Sequence, residues 1–260
     1  YYQTEEGDFW RVSVFIPRTQ TFNQVTPQNA YDCGRTFGRF ESMLTDVGEK
    51  LGETIPDFHN MELRIRQLRE AVKADAAGRL HEVSALVDKI EQHAEAMCRA
   101  EKLYREGQLP KRLCHCDTKV NNMLFDETGQ VLCVIDLDTV MPSFVFSDYG
   151  DFLRTAANAT REDDPDVSKV ALRWDVIESF TKAYIEGTRH FLTDTERDML
   201  PFAMQLFPYM QCVRFLADYI NGDTYYKTTY AAHNLDRAHN QWRLFELTLA
   251  GEDRLQQFVK

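Results

Sequence analysis

"LCHCDTKVNN", Leu113 to Asn122, admits two readings, and the choice between them decides the fold. Read by its thiols, Cys114 and Cys116 flank His115 as a fragment of a zinc site. Structural zinc takes four ligands, usually with cysteine pairs two to four residues apart. Here the spacing is C-x-C and no second pair follows nearby, so buried thiols are the better reading. Read by its oxygens and amide, the stretch is a loop whose working residues are His115, Asp117 and Asn122. The following residues favour this second reading. "NMLFD", "ETGQ" and "VLCVID" spell strand, turn and strand. With Asp126 opposite Val131, antiparallel pairing brings Asn122 beside Ile135. Asn122 and Asp136 then share the open end of a hairpin, and Asp117 lies in the loop that enters it. On an extended backbone Asp138 would point to the same side as Asp136.

Phosphoryl transfer needs such a set. It requires a group that orients or deprotonates the attacking hydroxyl, and hard oxygen ligands that hold Mg²⁺ against the phosphates. Asp117 is the candidate for the first role, and Asn122 and Asp136 for the second, with Asp138 as a further metal candidate. His115 is expected to support the loop by hydrogen bonding.

"HCDTKVNN" fits H-x-D-x-x-x-x-N, and in this it resembles the catalytic loop of protein kinases and of the aminoglycoside-phosphotransferase-like small-molecule kinases. Lys119 resembles the lysine that reaches the transferring phosphate, and "VIDLD" resembles the metal-binding segment. No "DFG" or "APE" follows; "DYGDFLR" at 148–154 follows instead, as in the phosphotransferases. The longer phrases "HCDTKVNNMLFD", "VLCVIDLDTVMPS" and "VRFLADYINGDTYY" look closest to the bacterial N-acetylhexosamine 1-kinase group. The resemblance implies an α+β, protein-kinase-like fold: a mostly helical C-terminal lobe with a catalytic β-hairpin. It implies ATP and Mg²⁺ as cofactors and a small-molecule sugar as partner, phosphorylated at the anomeric hydroxyl of N-acetylglucosamine or N-acetylgalactosamine. It sets Phe15 and Ile16 beside the nucleotide. Asp148, Arg214 and Arg237 become substrate candidates, and Asp151, with His115, a structural support. Residues 1–24 would be a remnant of a nucleotide-binding lobe and hinge, and 25–260 the catalytic lobe. A glycine-rich loop and a phosphate-binding strand lysine are not visible, so the chain reads as a fragment expected to be weakly active alone. Two alternatives stand beside the sugar kinase. One is a kinase for choline, homoserine or an aminoglycoside, to which the acidic "REDDPD" run at 161–166 is suited. The other is a non-catalytic helical interaction module.

The remaining sequence is consistent with a folded, water-facing chain. Its 43% hydrophobic and 27% charged residues over 260 positions suffice for a core without disulfides. A net charge of -11 without a basic stripe argues against nucleic-acid binding. No apolar run approaches the roughly 18 residues of a membrane span, and no leader is visible, which together with scattered cysteines reads as a cytoplasmic setting. "FWRVSVFI" (9–16) predicts a strand with Trp10, Val12, Val14 and Ile16 on one face, and "RTQTFNQV" a connector. Thr26 and Pro27 predict a helix start, with Ala30, Cys33, Phe37, Phe40, Leu44 and Val47 as its buried stripe. Gly34 and Gly38 predict a close neighbour. Further helices are expected at about 60–76, 81–106 and 230–249, and "TDTE" (193–196) as a capping box opening a helix that Pro201 and Pro208 kink or split.

Overall fold

The structure, a computed structural model, describes residues 1–22, 24–47 and 51–260. Its fold is α+β, mostly helical with short strands. The chain opens with β1 (Tyr2–Gln3) paired to β2 (Phe9–Trp10), then β3 (Thr19–Gln20). Helix α1 (Pro27–Leu44) begins where the sequence predicts: Thr26 accepts from the Asn29 N–H, Asn29 answers to the Thr26 N–H, and Pro27 takes the first turn. Ala30, Cys33 and Phe37 are buried as expected, Phe40 and Leu44 are partly buried, and Val47 lies exposed beyond the helix end.

The segment expected between 81 and 106 is two helices, α3 (Leu80–Met97) and α4 (Arg99–Arg105), preceded by α2 (Met61–Ala74). Then come β4 (Arg112–Cys114), β5 (Met123–Asp126), β6 (Val131–Val134) and β7 (Met141–Ser143). The helical remainder is α5 (Phe146–Ala156), α6 (Trp174–Thr188), α7 (Asp194–Asp198), α8 (Leu200–Ile220), α9 (His233–Ala250) and α10 (Glu252–Val259). The Thr193–Glu196 capping box opens α7 as expected. The chain splits at Met199, Pro201 enters the first turn of α8, and Pro208 stays inside that helix.

The core lies where α8, buried along nearly its whole length, packs against α2, α5 and α9, while α1 crosses α6. The α1–α6 crossing is a backbone-to-backbone contact. A Cβ added at Gly34 would stand 2.5 Å from the Phe180 carbonyl oxygen, and one at Gly38 would stand 2.9 Å from that of Tyr184. Glycine is therefore required at both positions. No helix among the described residues is long and apolar enough to cross a membrane.

The N-terminal expectation is corrected. The strand read over 9–16 is only Phe9–Trp10, and Trp10, Val12, Val14 and Ile16 are all exposed. A lone two-stranded ribbon has no second layer to cover an apolar face, so the alternation finds nothing to bury against. Phe15 (83% exposed) and Ile16 lie outside any strand. The connector that follows contains β3, whose Thr19 and Gln20 pair with Asp126 and Phe125 and extend the hairpin to three strands.

Candidate active site

The hairpin register places the site. Met123 opposes Val134 and Leu124 opposes Cys133, so the Ile135 N–H donates to the Asn122 carbonyl (2.9 Å), the neighbours expected from sequence. One detail differs. A bulge sets Phe125 rather than Asp126 against Val131. This frees the Asp126 carboxylate to accept from the Thr128 and Gln130 N–H groups and close the turn.

His115 ties the two working segments together. Its Nε2 is 2.9 Å from the Ile135 carbonyl, and its Nδ1 accepts from the Asp117 N–H (3.3 Å). That pattern assigns the neutral tautomer with the proton on Nε2. One buried ring thus connects the residue before Asp136 to the backbone of Asp117, with Phe37 and Phe40 packed against it. Asp117 Oδ2 accepts from Lys119 Nζ (2.7 Å) and from Asn122 Nδ2 (2.9 Å), and Asn122 Nδ2 also reaches the Asp117 carbonyl (2.7 Å). The Asn122 amide nitrogen is occupied in this way, which leaves its Oδ1 for a metal.

Two non-glycine residues in left-handed backbone conformation flank the working carboxylates: Cys116 (φ 65°) directly before Asp117, and Asp136 itself (φ 62°). Such conformations carry local strain and persist where the surroundings over-determine them. The kink at Asp136 starts a 3₁₀ turn over Leu137–Thr139. The extended backbone expected there, and with it the shared direction of Asp136 and Asp138, is therefore absent. The exposed Asp138 carboxylate is gripped instead by both Nη atoms of Arg11, at 2.6 and 2.8 Å.

Asp148, a substrate candidate by sequence, is 1% exposed. Its two oxygens accept the N–H groups of His115 and Cys116 at 2.7 Å each, and its carbonyl accepts from Thr118 Oγ1. It braces the loop and offers no free edge to a substrate. Asp151, one turn along α5, accepts the Thr118 N–H. Burial pushes its carboxyl up to about 6, against the pull of Arg154 at 3.6 Å. Cys114 and Cys116 are buried free thiols, both pushed far up by burial. Among the described residues no cluster of three metal-binding His, Cys, Asp or Glu side chains exists. Magnesium does not need such a cluster. It is commonly held by one or two carboxylates together with substrate phosphates, and Asn122 Oδ1 with the exposed Asp136 carboxylate is a donor set of that kind.

Arg154 leads from the loop to a cleft. Its guanidinium lies between Asp151 and Glu162. Beyond it, Tyr226 carries a buried hydroxyl with no partner among the described residues. Burial raises that hydroxyl's pKa, and Arg214 and Arg154 lower it in part. Arg214 lies 5.6 Å over the Tyr226 ring and 5.5 Å over Phe58. Tyr226, Arg214 and Phe58, with Arg64 and Tyr225, line a cleft of about 590 Å³, which Glu70 and Asp218 also border. His59 beside it is pushed down to about 3, by burial first and then by Arg214, Arg64 and Arg154, so it is a neutral ring. Arg237, the other cationic candidate, packs over Phe215 and donates to Asn234 Oδ1 and the Lys227 carbonyl. Sequence reading singled out Arg214 but missed Phe58, His59, Arg64 and Arg154. Those residues come from α2, its preceding loop and α5, and only tertiary packing unites them.

The sequence model of the phosphotransferase enzyme family (APH) matches residues 2–184. Among solved structures, a choline/ethanolamine kinase family protein from Mesorhizobium loti superposes with TM-score 0.51 at 16% identity, over 92% of this chain and 73% of that one. Choline kinase from Cryptosporidium parvum Iowa II superposes with TM-score 0.50 at 10% identity, over 90% of this chain and 67% of that one. At such identities the likeness shows the fold.

Proposed function

The chain belongs to the phosphotransferase enzyme family, and from that premise we propose that it carries the catalytic lobe of an ATP- and Mg²⁺-dependent kinase whose acceptor is a sugar, in first place the anomeric hydroxyl of N-acetylglucosamine or N-acetylgalactosamine. The observation that carries the reading is the His115 bridge between the Asp117 N–H and the Ile135 carbonyl. It holds the candidate base and the candidate metal carboxylate in one rigid frame.

Asp117 takes or orients the proton of the acceptor hydroxyl. Lys119 and Asn122 fix the orientation of its carboxylate, and the Lys119 ammonium would neutralise charge on the transferred group. Asn122 and Asp136 would hold the magnesium ion, which when bound supplies positive charge against the phosphates. Residues 1–24, with Phe15 and Ile16, contribute one edge of the nucleotide site, and the rest of that site is expected from a further lobe. The 260 residues alone are accordingly expected to turn over weakly.

The arginine-lined cleft favours a neutral, hydroxyl-rich acceptor over choline or an aminoglycoside. Cations entering beside Arg64 and Arg214 would meet like charge, whereas guanidinium N–H groups and aromatic faces suit hydroxyl and acyl oxygens and a sugar ring. The test is Asp117→Ala in an enzyme carrying both lobes, assayed against a panel of hexosamines and amino alcohols. A fall in kcat of about 10²- to 10⁴-fold with nucleotide affinity unchanged is expected. An unchanged kcat, or phosphate appearing only on amino alcohols, defeats the proposal.

A further inference from the structure

The turn that follows α8, "NGDTYY" at 221–226, brings Tyr225 and Tyr226 to the cleft and closes on one buried carboxylate. Asp218, in the last turn of α8, is 6% exposed. Its Oδ1 accepts the N–H groups of Thr224 and Tyr225, at 2.9 Å each. Its Oδ2 accepts the Tyr226 N–H at 3.0 Å and Asn234 Nδ2 at 2.9 Å. Its backbone carbonyl accepts the Asp223 N–H at 2.8 Å. Three successive backbone amides thus converge on a single side chain. A carboxylate suits this place because it offers two acceptor oxygens and no donor, and N–H groups bond to it more strongly than to a neutral acceptor.

The surrounding groups lock the turn in place. Gly222 (φ 91°) and Asp223 (φ 61°) are left-handed, which reverses the chain directly after the helix. Asn234, fully buried in α9, closes the turn from the other side. Its Nδ2 also donates to Asp223 Oδ1 (2.8 Å), and its Oδ1 accepts from Arg237 Nη1 (3.1 Å). Arg79, just before α3, holds the other Asp223 oxygen. The Tyr226 ring is thereby seated 4.7 Å from that of Phe215, with Tyr225 edge-on to it at 4.8 Å and Arg214 over its face. Asp218 borders the same cleft, but each of its oxygens already serves two N–H donors of the protein. It acts on the cleft through the turn.

We propose that Asp218 is a positioning residue for the acceptor: it fixes the backbone of Thr224, Tyr225 and Tyr226 and so sets the aromatic wall of the cleft against Arg214. The role rests on the reading above that this cleft receives the acceptor. Asparagine has nearly the shape of aspartate but replaces one acceptor oxygen by an amide donor. In either orientation that nitrogen faces two N–H groups, those of Thr224 and Tyr225 or those of Tyr226 and Asn234. Turning the Asn234 amide over would set its nitrogen against Arg237 and withdraw it from Asp223. The turn therefore shifts. Acceptor binding weakens, while Asp117, Lys119 and Asn122 keep their mutual bonds, none of which involves the turn.

The test compares wild type, Asp218→Asn and Arg214→Ala in the two-lobed enzyme, with whichever acceptor of the hexosamine and amino-alcohol panel it phosphorylates. Asp218→Asn should raise the acceptor KM about 10-fold, with kcat and nucleotide KM within about 3-fold of wild type. General damage to the fold would not divide the parameters in this way. A second readout needs no turnover. In the ¹⁵N-labelled chain, Asp218→Asn should speed hydrogen exchange of the Thr224, Tyr225 and Tyr226 amides at least about 10-fold and leave the His115 and Cys116 amides unaffected. If Asp218→Asn does not fold, Asn234→Ala, which removes one donor to Asp218 and one tie to Asp223, decides by the same two measurements. Unchanged exchange at all three amides overturns the proposal. So does an unchanged acceptor KM in Asp218→Asn while Arg214→Ala raises it, and the cleft reading then survives. If neither variant alters the acceptor KM, or the wild type phosphorylates nothing on the panel, the reading of the cleft itself fails and the role of Asp218 falls with it.

Discussion

Gly34→Ala measures how tightly α1 is seated. Two effects oppose each other. Alanine in place of glycine inside a helix is favourable by about 1 kcal/mol. Against this, the added Cβ would stand 2.5 Å from the Phe180 carbonyl oxygen and 3.2 Å from its carbonyl carbon, where ordinary contact begins at 3.4 Å. The obstacle is backbone of α6, not the end of a flexible side chain, so relief requires α1 and α6 to part by roughly 1 Å in a densely packed interior. Overpacking of this kind costs about 1–3 kcal/mol, and the unyielding neighbour puts it at the upper end. The net effect is a loss of about 1–2 kcal/mol, or roughly 2–8 °C in Tm at this chain length. Urea denaturation followed by circular dichroism reads it as a lower midpoint. Gly52→Ala is the control. A Cβ there meets nothing within 4 Å among the described residues, so its effect should stay within about 0.5 kcal/mol. If Gly34→Ala equals or exceeds wild type in stability, the account of the α1–α6 crossing is wrong. In the active enzyme the same substitution should lower kcat, because α1 also carries Phe37 and Phe40 against His115.

Further outcomes follow from single groups. Burial pushes the Glu101 carboxyl up to about 7 while one of its oxygens accepts the Met61 N–H. Its folded form keeps a proton that the unfolded chain has released. Its contribution to stability is therefore whole below about pH 4.5 and is lost as pH rises through about 7, some 3 kcal/mol in all. Glu101→Gln should flatten that dependence in urea titrations at about pH 5 and about pH 7, and an unaltered slope would clear Glu101 of it. Arg214→Ala should raise the acceptor KM about 10- to 100-fold and Tyr226→Phe about 5-fold, with nucleotide KM unchanged. Equal effects on both substrates would remove the cleft from the acceptor site. Cys114 and Cys116 should resist alkylation in the native protein and react only after unfolding, as mass spectrometry would show, since burial holds both thiols protonated.

Local information sufficed where the chain folds on near neighbours. The α1 cap is spelled by Thr26 and Pro27. The hairpin register follows from a short turn and two apolar strands, so the approach of Asn122 to Ile135 was legible before any coordinates. The spacing of Asp117 to Asn122 lies within one loop, and their side chains meet as that spacing requires. Alternation alone misled at residues 9–16, because an apolar face is buried only if another layer covers it. At Asp138, a left-handed residue two positions earlier broke the assumed periodicity and Arg11 captured the carboxylate.

Everything behind and beside the loop was decided by tertiary structure. Asp148 changes from substrate candidate to brace because α5 brings it under two backbone amides. Glu41 gains the Tyr184 hydroxyl as a partner because two glycines let α1 lie against α6. The cleft beside Tyr226 exists because the loop before α2, α2 itself and α8 meet there. A carboxylate or guanidinium in sequence carries its charge and reach. Whether it is paired, protonated or free depends on which distant groups share its desolvated surroundings, and packing alone supplies those.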